Sequence, residues 1–196
     1  GLSPVKGVAP EAELIFQAIE QTPKWNTQAV LTFLGQKSLP PVSGLYGLPD
    51  DLTELFQHAY TEGSRIYSIS WGGGIPGSYS STRSYVLDEF VFQNKDFLVV
   101  VAAGNSGRHS SSGIPAIDST SVDPPGTAKN CLTVGASEND RASQFSDTYG
   151  NRDPQRFPYE PFRSDSLVDS IDDIAAFSSR GPCRIGRRKP DLLAPG

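Results

Sequence analysis

Phe97-Leu98-Val99-Val100-Val101-Ala102-Ala103-Gly104-Asn105-Ser106-Gly107 is the stretch whose reading decides the fold. Its apolar run is rich in β-branched valine and closes on small residues, then Gly-Asn-Ser-Gly. That pattern predicts a short strand buried on both faces. Small residues at its end let another backbone, or a substrate, come close. A strand that stops on Gly-Asn presents one amide side chain at the carboxyl edge of a sheet, where open α/β sheets put their ligands. Gly-Asn is also ordinary turn chemistry, because both residues tolerate positive φ. The stretch alone leaves turn and site both open.

Toward the N-terminus, a helix spanning roughly Ser81 to Asn94 leads into this strand, with Leu87, Phe90, Val91 and Asn94 along one side. Before it, Arg65-Ile66-Tyr67-Ser68-Ile69-Ser70-Trp71 alternates, predicts a strand, and runs into Gly72-Gly73-Gly74. A further helix starts at Asp51, an N-cap with Glu54 three residues later. Leu52, Leu55, Phe56, Ala59 and Tyr60 recur at helical spacing, and Gly63 ends the element. Residues 20 to 50 carry Pro23, Pro40, Pro41 and Pro49 without a sustained period, and read as a long surface excursion. Ala12 to Ile19 is a strand candidate after the turn-like Gly7-Val8-Ala9-Pro10.

Toward the C-terminus, a Ser-rich loop runs to about Thr127, and Cys131 to Ala136 predicts another strand. Residues 138 to 172 are polar and proline-punctuated and read as a surface insertion. Ile174 to Pro182 predicts a short strand and turn, and Lys189 to Gly196 approaches one more strand. Strands alternating with helices predict an α/β fold with a parallel sheet. Right-handed crossovers then put the Gly72 and Gly104 loops on the same edge.

The 196 residues suffice for one domain with a real core, or for most of a larger one. With 37% hydrophobic and 20% charged residues the chain is globular rather than disordered. A net charge of −5 argues against nucleic acid as a partner. The basic cluster Arg184, Arg187, Arg188 and Lys189 reads as a solvated turn. No apolar run approaches the ~20 residues needed to span a bilayer. The chain starts at Gly1, contains no Met and ends on Ala194-Pro195-Gly196 in mid-pattern, so a piece of a longer polypeptide is expected. Cys131 and Cys183 fit either a single disulfide or two buried thiols.

Three apparent motifs carry little. Gly72-x-Gly74-x-x-Gly77 satisfies the dinucleotide fingerprint, but Pro76, Gly77, Ser78 and Tyr79 separate the glycines from the helix that should meet the pyrophosphate. His58 and His109 have no ligand partners at metal spacing and read as surface or packing residues. Asp50-Asp51 and Asp172-Asp173 are adjacent carboxylates that converge on nothing without help from the fold; a hard-cation site there stays open.

Six motifs in order resemble one family. Gly7-Val8-Ala9-Pro10, Ser70-Trp71-Gly72, Ala102 to Gly107, Ala128-Lys129-Asn130 with Thr133-Val134-Gly135-Ala136, Phe177 to Pro182, and Lys189-Pro190-Asp191 to Pro195-Gly196 resemble the subtilisin-like serine proteases (subtilases). Gly44 to Leu55 and the Glu138-Asn139 segment look most like secreted alkaline subtilases of bacilli and similar fungal enzymes. The family's catalytic Asp lies in a D-[ST]-G motif and its His in H-G-T-H, both ahead of the Gly-Val-Ala-Pro turn. Its Ser lies in G-T-S-M-A, beyond A-P-G. None of the three motifs occurs in these residues.

The resemblance implies a three-layer α/β fold with a mostly parallel sheet, and an incomplete domain in which residues 1–196 form the central part of the catalytic domain. It implies a serine endopeptidase that hydrolyses peptide bonds through an acyl-enzyme, with 1–196 alone inactive. It assigns Asn105 to the oxyanion hole, its amide donating to the developing oxyanion. Ser70, Trp71 and Gly72 would form one rim of the substrate cleft and Leu45, Tyr46 and Gly47 the other, so that an extended peptide pairs with both. Ala102, Ala103 and Gly104 would wall the pocket for the residue before the scissile bond, with Gly126 near its base. The resemblance also favours a Cys131–Cys183 disulfide, since the two segments lie side by side in such folds and a secreted setting permits the bond. The expected partner is a protein or peptide substrate, with no nucleic acid and no membrane; the expected location is extracellular. No cofactor is required for the chemistry, and a structural calcium is left open. The rival reading is a non-catalytic peptide-binding relative that keeps the cleft without the nucleophile.

Overall fold

A computed structural model describes residues 7–21, 45–110, 115–139 and 146–196. The elements run α1 (Thr53–Thr61), β1 (Ile66–Ile69), α2 (Ser84–Gln93), β2 (Leu98–Ala102), β3 (Leu132–Ser137), α3 (Tyr149–Arg152) and β4 (Leu192–Pro195). The four strands pair in chain order, β1-β2-β3-β4, and every pair is parallel. Ile69 lies opposite Val101, Ala102 opposite Val134 and Ala136 opposite Ala194, which brings the carboxyl ends of the strands to one edge. The fold is α/β, as the alternation of strand and helix patterns predicts.

Local signals explain where α1 begins and ends. Asp51 Oδ1 accepts the Thr53 N–H at 2.9 Å, relieving one of the unpaired donors of the first turn. Gly63, at φ +96°, closes the helix as its N–H reaches Tyr60 O while Ser64 N–H reaches Ala59 O. α1 and α2 then bury one apolar stripe each. Phe56, Leu87, Phe90 and Phe97 pack with Ile69, Val99 and Val101 into the main core. The Phe90 and Phe97 rings meet edge-on, centroids 5.3 Å apart. Burying each such ring stabilises by about 1.5–3 kcal/mol.

Several expectations are corrected. β2 is buried on one face: Val99 and Val101 are inaccessible, whereas Leu98 is 44% exposed and Ala102 is open. Both long helices pack on the Val99/Val101 side, and among the described residues no second core covers the other. Ala12 to Ile19 forms no strand. It lies exposed beside α1 and is held by side chains, Gln17 Nε2 donating to Leu55 O at 3.1 Å and Tyr67 OH donating to Gln17 Oε1. Ile174 to Pro182 makes only an isolated bridge, Ile174 to Ser137, then a turn closed by Ser178 N–H to Ala175 O. The surface excursion over 20–50 falls mostly on 22–44, outside the described residues.

The insertion after β3 is more than a solvated loop. Tyr149 and Phe157 are fully buried there and pack with Ile117 and Ala176, joined by Phe162, Leu167 and Phe177, into a second core. The basic cluster is a solvated turn only in part: Arg184 and Arg188 are exposed, but Lys189 is not. Lys189 is 5% exposed, and its ammonium donates to Asp191 Oδ2 at 2.6 Å and Cys131 O at 2.9 Å. Arg187 donates to Thr127 O, and Arg184 to Pro76 O.

Candidate active site

Backbone bonds gather three segments at the carboxyl edge of the sheet. Ala103 N–H reaches Val134 O at 2.8 Å, Asp123 N–H reaches Ala103 O at 3.0 Å, and Gly73 N–H reaches Pro124 O at 2.9 Å. The loops after β1 and β2 therefore meet on residues 123–126, as right-handed crossovers predict. Gly126 lies beside Ala102: a Cβ there would stand 3.3 Å from Ala102 O. Gly104 has φ +106°, and a Cβ on it would collide with Asp123 Oδ2. Only glycine suits that position on both counts.

Asn105 sits on the loop beyond Gly104, exposed to solvent. Among the described residues its side-chain amide has no hydrogen-bond partner, so its donors stay free. The backbone around it is fixed from two sides. Ser179 N–H bonds Gly104 O, Ser106 N–H bonds Ser179 Oγ, and Gly107 N–H bonds Phe177 O, each at 3.0 Å. A Cβ at Gly107 would strike the carbonyls of Ala176 and Ser178, so glycine permits this approach. From the insertion, Arg156 Nη2 donates to both Asn105 O and Gly107 O at 2.5 Å. Asp153 stands 3.7 Å from Arg156 Nη1 and orients the guanidinium. A cavity of about 430 Å³ opens beside Asn105, lined also by Tyr149, Arg152, Asp153, Arg156 and Phe157.

The other expected site residues are placed as follows. Ser70 and Gly72 are exposed on the loop after β1, while Trp71 packs partly into the main core. Ala102 is open and Ala103 buried. Leu45 and Tyr46 are exposed in a turn whose Gly47 N–H bonds Ile19 O at 2.9 Å, which ties it to the 12–21 segment. His58 is exposed on α1, and His109 packs edge-on against Tyr159 and Phe162. Among the described residues no three His, Cys, Asp or Glu side chains converge to hold a metal ion. No described helix is long and apolar enough to cross a membrane.

The expected disulfide is corrected: Cys131 and Cys183 are free, buried thiols. Cys131 Sγ is engaged locally, 3.5 Å from both Ala128 O and Thr133 Oγ1, with Lys189 Nζ at 3.8 Å. Cys183 heads its own turn, bonded through its backbone to Arg187 and Gly186. Burial pushes both thiols above their ordinary range.

Two site residues escaped sequence reasoning. Asp123 precedes Pro124-Pro125-Gly126, which reads as turn chemistry and hides the placement of its side chain between Gly72 and Gly104. Arg156 lies in the aperiodic insertion, and no local signal marks it.

Comparison with known proteins identifies the family of the chain. The family model described as "Subtilase family" matches residues 2–196. A serine protease/ABC transporter B family protein, tagD, of Dictyostelium discoideum is 27% identical over 205 residues, covering 76% of this chain. Pyrolysin of Pyrococcus furiosus is 32% identical over 148 residues, covering 74% of the chain. Serine protease AprX of Bacillus subtilis is 36% identical over 100 residues, covering 50%. The matched region is 10%, 10% and 15% of the length of these three relatives.

Proposed function

The chain belongs to the subtilase family, and we propose that it is the central part of a secreted serine endopeptidase domain that hydrolyses peptide bonds through an acyl-enzyme. The observation that carries this reading is Asn105. Its amide, without a partner among the described residues, stands at the carboxyl edge of a parallel sheet on a loop held by Ser179, Phe177 and Arg156. A neutral amide suits an oxyanion hole because it stabilises new negative charge without titrating. Rigid support matters as much, since a donor already in place needs no reorganisation when charge develops.

In the complete protein a serine attacks the scissile carbonyl, a histidine takes and returns its proton, and Asn105 holds the oxyanion. Ser70 to Gly72 and Leu45 to Gly47 offer backbone on which an extended peptide is held as an added strand. Ala102, Ala103, Gly104 and Gly126 shape the pocket for the residue before the scissile bond. The chemistry draws on no cofactor. The 196 residues contain none of the three triad motifs, so on their own they hydrolyse nothing by this route.

The test uses the complete protein carrying this segment. Hydrolysis blocked by a serine-directed phosphonate is expected, with none from the 196 residues alone. Asn105→Ala lowers kcat by ~10²–10³ with little change in KM, the size known for loss of such a donor in subtilisin, itself a subtilase. A complete protein that binds peptide without cleaving it establishes the non-catalytic reading instead. An unchanged kcat in the variant removes Asn105 from the oxyanion hole.

A further inference from the structure

The Asp123 carboxylate occupies a place its backbone does not require. The turn that Asp123 begins is closed by its carbonyl, which accepts Gly126 N–H at 2.8 Å, and its own N–H is spent on Ala103 O. The side chain is free to point elsewhere, and it enters the space between the loops after β1 and β2. Asp123 Cβ lies 3.2 Å from where a Cβ on Gly72 would stand, and Oδ2 fills the place of a Cβ on Gly104. Oδ2 also accepts Ser106 Oγ–H at 3.3 Å. The carboxylate thus touches the residues on both sides of Asn105.

No cation among the described residues pairs with its charge. Among the described residues, ion pairs join Arg65 to Asp96, Lys129 to Asp88, Arg156 to Asp153 and Lys189 to Asp191; none involves Asp123. The residue is half-buried, and desolvation raises its carboxyl above the usual range, against a smaller opposing effect from Ser106. A partly desolvated carboxylate without a cation costs free energy, and such groups concentrate where a ligand supplies the missing charge. A bound metal is a poor candidate, because no second and third ligand converge there among the described residues.

We infer that Asp123 is a specificity-determining residue that selects substrates with lysine or arginine immediately before the scissile bond. The inference rests on the oxyanion role of Asn105 proposed above. If Asn105 holds the scissile carbonyl, the side chain of the residue owning that carbonyl must lie beside Gly104 and Ser106. There it meets the Asp123 carboxylate. A lysine or arginine stem can lie along Ala102 and the glycines while its charged head reaches Oδ1 or Oδ2. An aliphatic or aromatic side chain at the same place leaves the carboxylate desolvated and unpaired.

The test compares peptides identical except for Arg, Lys, Leu or Phe before the scissile bond, hydrolysed by the complete protein. Arg and Lys are expected to exceed Leu and Phe by roughly tenfold or more in kcat/KM, the scale of a close charge pair. Asp123→Asn erases that preference, the Arg-to-Leu and Lys-to-Leu ratios of kcat/KM falling to about one, and Asp123→Glu keeps the basic preference; thermal melts of both variants check the fold. Equal or better cleavage of Leu and Phe peptides by the unaltered protein, with ratios unmoved in Asp123→Asn, overturns the inference and leaves the protease reading standing. Absence of hydrolysis from every peptide overturns both.

Discussion

Arg156 and Asn105 are joined by a bond from guanidinium to main chain: Arg156 Nη2 donates to the carbonyl oxygen of Asn105, and the same nitrogen donates to Gly107 O. The insertion after β3 thereby reaches over a gap of about fifty residues to hold the loop that presents the Asn105 amide. Asp153 and the ring of Phe157 keep the guanidinium in place, the ring centroid lying 5.6 Å from its central carbon.

Arg156 is therefore expected to act as a positioning residue. In the complete protein, Arg156→Met should lower kcat by about tenfold with KM nearly unchanged, since a small displacement of a donor is felt most where charge develops. Arg156→Lys, which keeps one donor and the charge, should recover part of the loss. The decisive measurement is the double variant: in an Asn105→Ala background the Arg156 substitution should cost little further kcat. Fully additive losses would show that Arg156 supports the fold and not Asn105.

Glu138 links stability to pH. Glu138 is buried, at 3% exposure; Oε1 accepts Tyr149 OH at 2.7 Å, while Oε2 has no hydrogen-bond partner among the described residues. Burial, assisted by the charge of Asp165, raises its pKa, and burial raises Asp165 as well. A carboxyl with a raised folded pKa binds its proton more tightly folded than unfolded. Its contribution to stability is present at acid pH and is lost as pH rises through the folded pKa. Asp51 and Asp96 shift the opposite way but lie exposed, where such effects are small. Melting temperature is expected to rise between about pH 7 and about pH 5. Glu138→Gln should raise it by a few degrees at neutral pH and flatten the slope. A variant with the slope of the unaltered protein would exclude Glu138 as the source.

Two glycines separate backbone strain from collision. Gly63 and Gly104 have similar positive φ, +96° and +106°, but a Cβ at Gly63 meets nothing within 4 Å, whereas at Gly104 it strikes Asp123 Oδ2 and approaches Ser179 Oγ to 2.9 Å. Gly63→Ala should cost about 1–2 kcal/mol, the strain of a left-handed alanine. Gly104→Ala should cost more, and the excess should shrink in an Asp123→Ala background. Equal losses in denaturant unfolding would show that the carboxylate yields without strain.

The cysteines offer a direct count. Unreduced, denatured protein is expected to show two titratable thiols, and native protein almost none, because Cys131 and Cys183 are 9% and 2% exposed and burial disfavours both thiolates. Denatured protein without thiols would mean that a bridge forms after all.

What the sequence determined by itself was whatever depends on neighbours along the chain. The valines of 99–101 and the alternation of 65–71 specify strands, Asp51 and Gly63 bound a helix, and alternation of the two patterns predicts a parallel sheet whose loops share an edge. Asn105 was legible as a polar residue at a strand's end, because strand ends and glycine turns leave local marks. Tertiary structure alone decided which face of β2 is buried, since period and composition say nothing of what packs opposite. It also decided that Ala12 to Ile19 stays out of the ladder, that Lys189 turns inward to Asp191, and that the cysteines keep their thiols. Asp123 and Arg156 belong here too. Each acts on the Asn105 loop from another segment of the chain, through the position of one charged group, and a charge placed by folding leaves no period, spacing or cap for a sequence to display.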